Sequence, residues 1–315
     1  MSSTAMRQKA GEANYVPVLG KTLKFTHLDK VLYPEVGFTK AQVIDYYASI
    51  EKVILPHLKN RPLTVKRYPD GVDNEFFYEK QCPSYRPQWL ETTSVPFERK
   101  RVNFCIINDL ASLLWITNLA SLEMHPSLSL SDNVSQPTMM VFDLDPGDPA
   151  TLLECLDVAL KLRELFHELG LESFPKSSGG KGLHVYVPLN TDVTYEKTKA
   201  FAHALAQFLE KRYPLLVTSN MRKDSRTGKV FMDWSQNDYH KTTVCVYSMR
   251  ARSRPTVSAP LEWKECERAL KRKDASKLVF ESRDMLKRIQ RKGDIFAPVL
   301  SLHQKLPDLN EQRTM

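Results

Sequence analysis

Two aspartates, Asp143 and Asp145, close the run "MMVFDLDPG" (139–147). The stretch from Thr138 to Phe142 has the short, apolar pattern of a buried strand. Successive side chains on a strand alternate faces, so both carboxylates point the same way. Like charges that close repel, and burial raises their pKa values. A divalent cation removes the conflict. Two solvated loop aspartates leading into Pro146-Gly147 are the plainer alternative. A site for two ions needs a third ligand. Asp233, at the end of the apolar "KVFMDW" run, is the best-placed candidate, unless it simply faces water. Asp224 and Asp238 lie among turn-forming residues and suit the role less well.

"SSGGKGLHVYVPL" (177–189) adds groups suited to an anion. Gly179, Gly180 and Gly182 allow close backbone approach, exposed N–H groups there could cradle phosphates, and Ser178 and Lys181 add a hydroxyl and a cation. The spacing is not that of a P-loop, and a plain glycine turn before a strand is the bland reading. His184 shares a strand face with Tyr186, opposite Val185 and Val187. Arg250, closing "TTVCVYSMR", could meet a phosphate bidentately, and His125 in "LEMHPSL" could face the same cleft. Nearer the N-terminus, Lys30, Lys40, Lys66 and Arg67 are interleaved with the adjacent aromatics Phe76 and Phe77. Cations for phosphates and a ring for a terminal base suit a nucleic-acid end. Because strand neighbours face opposite ways, at most one of the two phenylalanines need be core.

The elements that must position these groups are legible in part. Thr39 can cap a helix carrying Val43, Ile44, Tyr47, Ile50 and Ile54 at helical spacing. "RPLTVKRYPDGV", "EFFYEK" and "SVPFERKRVNFCIIN" read as strands, and "NDLASLLWITNLA" as a helix. Beyond the aspartates, Asp148-Pro149 reads as an N-cap followed by a first-turn proline, and Gly170 as the end of that helix. "HVYVPL", "KVFMDW" and "TTVCVYSMR" read as strands. Thr194 starts a helix running to about Tyr213, and helices near 261–273 and 282–291 follow. The expected architecture is α+β (mixed α/β): one catalytic sheet flanked by helices, with an N-terminal lobe packed against it. The expected divisions are a flexible arm (1–20), a lobe (21–135), a metal-binding core (136–255), a basic helical segment (256–300) and a tail (301–315).

At 315 residues the chain can bury one large core or two moderate ones. Its hydrophobic content of 42% and charged content of 26% are ordinary for a globular protein. The apolar runs fall far short of a membrane span. The five cysteines are odd in number and contain no CxxC, which reads as reduced thiols in a cytosolic protein without a zinc site. The net charge is +8, and its excess lies between Arg250 and Lys292, where 14 Lys and Arg face 6 Asp and Glu. That segment suits a polyanionic partner; a solvated helical face is the alternative.

"LDKVLYP", "RPLTVKRYPDG", "FFYEK", "FDLDPG", "SSGGKGLHVYVPL" and "FMDWSQN", in this order, closely resemble the polymerase domain of bacterial ligase D, the end-joining repair enzyme, which is similar to the archaeo-eukaryotic primases. The resemblance spans about residues 20 to 300. It implies a primase-type DNA/RNA polymerase that uses two Mn²⁺ or Mg²⁺ ions to extend 3′ ends at gaps and double-strand breaks, with ribonucleotides preferred. Asp143, Asp145 and Asp233 match the metal-binding aspartates. His125, Ser178, Lys181, His184, Gln236 and Arg250 match positions around the incoming NTP or dNTP. Lys30 and Lys40 match the lysines receiving a downstream 5′-phosphate, and Phe76 and Phe77 the aromatic pair at the template base. His27 stands where relatives often carry Asn. Ku, a DNA ligase and a place in the bacterial nucleoid follow from the same resemblance. The rival readings are a non-catalytic DNA-end binding module and a metal-dependent glycosyltransferase using the DxD.

Overall fold

The computed structural model describes residues 14–97 and 100–308. Its centre is a five-stranded sheet in the order Phe174–Ser177, Leu183–Pro188, Met139–Pro146, Val230–Asp233, Val217–Thr218. Only the last junction is parallel. Side-chain alternation divides this sheet into two faces. Met140, Phe142 and Leu144, with Leu183, Val185, Val187, Val230 and Met232, bury against the helices Leu152–Glu168 and Tyr195–Arg212. On the opposite face Met139, Val141 and Tyr186 join the core of the N-terminal lobe. Asp143 and Asp145 continue that second face to where the lobes part.

The lobe holds a second five-stranded sheet of Phe77–Glu79, Leu63–Arg67, Lys100–Cys105, Thr92–Phe97 and Ser121–Pro126. The last strand pairs antiparallel with Leu63–Arg67, setting His125 opposite Thr64. Arg61 ties the lobes together by donating to the Ser127 and Leu128 carbonyls and to Thr138 Oγ1. Among the described residues no helix is long and apolar enough to cross a membrane.

Several expectations are met. Thr39 caps helix Lys40–Ser49 through a reciprocal pair with Gln42, and the next helix, Glu51–Leu58, follows after a break at Ile50. Thr194 caps Tyr195–Arg212, and Trp263–Arg272 and Ser282–Lys292 lie where the helical pattern placed them. Others need correction. Helix Leu152–Glu168 is capped by Thr151, whose backbone and hydroxyl both reach Glu154, rather than by Asp148; the Asp148–Pro149 bond is cis and lies outside the helix. The Thr-x-x-Glu box that wins is the stronger start signal.

"TTVCVYSMR" is not a strand but a buried irregular segment. Tyr247 has φ 67, which breaks an extended run. The backbone groups there are met piecemeal, Cys245 N by the Met124 carbonyl, Met249 N by Tyr47 Oη, and the Tyr247 carbonyl by Tyr46 Oη. Cys82 and Cys105 form a disulfide, correcting the expectation of five reduced thiols; Cys155, Cys245 and Cys266 are free and buried. Pairing between a loop residue and a strand end is invisible in cysteine spacing, and cysteine usage no longer argues for a reducing compartment. Part of the expected arm is structured: Asn14–Val18 pairs antiparallel with Lys21–Phe25. Residues 1–13 lie outside the described residues. At the expected tail, Gln304 is anchored to Pro188 and Glu172.

Candidate active site

A cavity of about 630 Å³ opens where the lobes meet. His125, Asp143, Asp145, Ser178, Lys181, His184, Gln236 and Arg250, all singled out in the sequence, line it together. Asp233 lies directly opposite Asp143 in the ladder. The carboxylates load one another. Asp143 is raised to about 6, by burial first and then by Asp233. Asp145 is raised to about 7, mainly by Asp143 and then by burial, although its side chain is exposed enough for water to screen part of that repulsion. His184 Nε2 stands 3.1 Å from Asp143 Oδ1. Burial, Lys176 and Arg250 hold that imidazole neutral, so it does not cancel the charge.

This donor set fits Mg²⁺ or Mn²⁺. Both ions favour carboxylate oxygen, and Mg²⁺ is usually held by one or two carboxylates with substrate phosphates and water. Among the described residues no three His, Cys, Asp or Glu side chains already converge as ligands. Asp233 in particular is engaged: Oδ1 accepts from Ser235 N and Oγ at 3.0 and 2.6 Å, and Oδ2 from Gln236 Nε2 at 2.9 Å.

The glycine loop differs from expectation. Two of its amides, Gly180 N and Gly182 N, donate to Ser178 Oγ at 3.2 Å each, so they do not point at the cavity. Ser178 keeps its own proton to donate outward. Gly182 is required by close approach, since a Cβ there would lie 2.5 Å from the Leu144 carbonyl oxygen. The cations are Lys181 at the rim, 3.3 Å from Asp148, and Arg250, whose Nη1 donates to the Ser178 carbonyl at 2.6 Å.

The sequence reading missed Glu123, Lys80, Arg226 and Arg252. Lys80, Arg226 and Arg252 line the cavity. Glu123 sits behind it, 2% exposed, against His125 and Arg250. The signal for Glu123 was available: it alternates with His125 on a strand whose other residues are uncharged.

The predicted nucleic-acid residues lie outside this cavity. Phe76 and Phe77 are 49% and 44% exposed, so neither is core. Lys66 Nζ lies 3.7 Å from the centre of the Phe76 ring. Arg67 is turned to structure, with both Glu79 oxygens at 3.1 Å and the Leu119 carbonyl at 2.8 Å, which leaves it a brace rather than an open cation. Lys30 and Lys40 do converge. Lys40 N donates to the Lys30 carbonyl, and burial, then Lys30 and Arg67, lower the Lys40 amine to about 8. Lys40 Nζ donates to the Thr26 carbonyl, and Lys30 pairs with the exposed Asp70.

The chain is similar to known proteins in sequence and fold. Residues 39–296 match the family model of the LigD primase-polymerase domain. The multifunctional non-homologous end joining protein LigD of Mycolicibacterium smegmatis is 43% identical over 279 residues, covering 88% of this chain and 36% of that protein. The bifunctional LigD of Bacillus subtilis is 34% identical, covering 79% of this chain and 40% of that protein. The chain thus spans well under half the length of these relatives. The solved polymerase domain from Mycobacterium tuberculosis ligase D in complex with DNA superposes with a TM-score of 0.83 at 38% identity, covering 90% of this chain and 99% of that one. With most of its length inside the matched model and 43% identity to the Mycolicibacterium smegmatis protein over 88% of the chain, the chain belongs to the LigD primase-polymerase family.

Proposed function

We propose that this chain is a template-dependent nucleotidyltransferase that extends 3′ ends at DNA gaps and double-strand breaks, preferring ribonucleotides. The observation that carries this is the Asp143–Asp145 pair, Asp143 raised by burial and then Asp233 and Asp145 by Asp143 and then burial, in a cavity that also holds Arg250, His125 and Lys181. Such a pair gains most from a dication, and the cations beside it suit a triphosphate. Asp143, Asp145 and Asp233 would hold two Mg²⁺ or Mn²⁺ ions. When bound, such ions lower the pKa of a 3′-hydroxyl and neutralise charge on departing pyrophosphate.

Arg250, His125 and Lys181 orient the phosphates, and Gln236 holds Asp233. The free Ser178 proton can meet a ribose 2′-oxygen, which a deoxy substrate lacks. Phe76 offers a ring to a template base beside the Lys66 cation. Lys40, at a capped helix start, and Lys30, whose carbonyl accepts from Lys40 N, receive a downstream 5′-phosphate. The names of its relatives support a setting in non-homologous end joining; a bacterial nucleoid location and partnership with a ligase and Ku belong to the same proposal. The test is primer extension on labelled one-nucleotide-gap DNA with Mn²⁺ or Mg²⁺ and either NTPs or dNTPs. Templated addition is expected. Tight DNA binding with no extension under any of these conditions would leave a non-catalytic end-binding module.

A further inference from the structure

Glu123 lies two residues before His125 on strand Ser121–Pro126 and does not line the cavity. It keeps its charge although buried. Desolvation pushes the carboxyl up, but His125, Arg250 and the Ala251 amide draw it down to about 2. A buried ionised carboxylate is costly unless its partners are in place.

Its two oxygens divide between two parts of the chain. Oε2 stands 2.9 Å from His125 Nε2. Oε1 accepts from Ala251 N at 3.0 Å and lies 3.2 Å from Arg250 Nε, an ion-pair contact without an aligned hydrogen bond. An ionised carboxylate can only accept, so His125 Nε2 carries the proton and Nδ1 is the nitrogen left for other partners. Arg250 is held at both ends of its fork, by Glu123 beside Nε and by the Ser178 carbonyl on Nη1. His125 comes from the N-terminal lobe and Arg250 from the irregular segment before the basic helices. Both face the same cavity, and Glu123 is the group that touches both.

We propose that Glu123 is a positioning residue for the polyphosphate of the incoming nucleoside triphosphate, fixing His125 and Arg250 from behind. This rests on the reading of the cavity as a nucleotide site. The alternatives differ in sign. If Glu123 acted only through its charge, removing it would strengthen triphosphate binding, because a carboxylate near phosphates repels them. If it served the fold alone, stability would fall while the affinity of the folded molecules stayed put. A positioning role weakens nucleotide binding, because an arginine and a histidine with no common anchor must be ordered by the ligand itself.

The experiment compares the full chain with its Glu123→Gln variant, which keeps the shape and loses the charge. ATP affinity with Mg²⁺ is measured by calorimetry, and kcat and KM for ATP by addition to gapped DNA, with melting and gapped-DNA affinity alongside. The Kd and KM for ATP should rise roughly tenfold, the loss of one charge-assisted contact, with kcat moving far less and DNA affinity unchanged. An unchanged or lower KM in a folded variant overturns the proposal. Should Glu123→Gln not fold, ¹⁵N imidazole resonances of the unaltered protein decide. His125 is expected to carry its proton on Nε2, with and without ATP and Mg²⁺, and the Nδ1–H form overturns the proposal. A wild-type chain that binds no ATP defeats the nucleotide site itself and this inference with it. Wild-type binding matched by the variant defeats only the role of Glu123.

Discussion

Replacing Asp143 by Asn should stabilise the protein while abolishing extension. In the folded chain the Asp143 carboxyl lies at about 6, against an ordinary 3.8, through burial and then Asp233. The folded state therefore binds this proton more tightly than the unfolded chain does. The group's contribution to stability is fully favourable below about pH 4, and it is lost as pH rises through about 6. At pH 7.5, two units at about 1.36 kcal/mol each make the ionised carboxylate a cost of at most about 3 kcal/mol. Unfolding entropy of about 2.1 cal/mol/K per residue gives a chain this long roughly 1.5 °C per kcal/mol, so the Asn variant gains up to about 4 °C. Loss of the contact with His184 subtracts from that. The assay is thermal melting in EDTA at pH 5 and pH 7.5, repeated with Mn²⁺. The variant's advantage should be confined to the higher pH. Mn²⁺ should raise the melting temperature of the wild type by mass action and leave the variant nearly unmoved. A variant that melts lower than wild type at pH 7.5 in EDTA, yet responds to Mn²⁺ equally, would refute both the repulsion and the metal role.

Asp145→Ala should eliminate extension and leave the gel-shift of gapped DNA essentially intact, because the cations that bind phosphate lie elsewhere; full activity removes the metal assignment. In single-nucleotide additions opposite template T, kcat/KM should be higher for ATP than for dATP, and equality would count against a 2′-hydroxyl contact. Wild-type affinity for a one-nucleotide gap should be about tenfold or more higher with a downstream 5′-phosphate, a preference lost in the Lys30→Ala/Lys40→Ala double mutant. If the double mutant keeps that preference, the phosphate is received elsewhere. Cys82→Ser/Cys105→Ser should melt several degrees lower, since closing a loop of this length contributes about 3 kcal/mol, and an unchanged melting temperature would show the bond is dispensable.

How much of this could be read from the chain depended on the range of the interaction. Alternation in "MMVFDLDPG" placed Asp143 and Asp145 on one face, and the structure keeps them there, because strand periodicity is local. That Asp233 stands opposite Asp143 is a matter of register between strands some ninety residues apart, which sequence pattern does not carry. Local capping was legible at Thr39 and Thr194. At Asp148 it was misread, although the competing Thr151–Glu154 box lay three residues on. The apolar run 242–250 resembled a strand because burial, not periodicity, dictated its composition. Its backbone is served by tyrosine hydroxyls from helix Lys40–Ser49, some two hundred residues earlier. The Cys82–Cys105 bond was missed for the same reason, its partners being close only in space, whereas the Glu123–His125 alternation was local and legible.

The two-faced strand Met139–Pro146 constrains insertion and deletion more sharply than substitution. Conservative exchanges among Met140, Phe142 and Leu144 keep the helical side filled, and their cost is that of imperfect packing. Removing one residue between Met139 and Phe142 instead reverses the phase of everything beyond it. Asp143 and Asp145 would then turn toward the helices Leu152–Glu168 and Tyr195–Arg212, and Leu144 would face the cleft. Two carboxylates would enter an apolar interlayer with nothing there to pair them. In a deep mutational library this strand should therefore tolerate conservative apolar exchanges at its inner positions and almost no change in length.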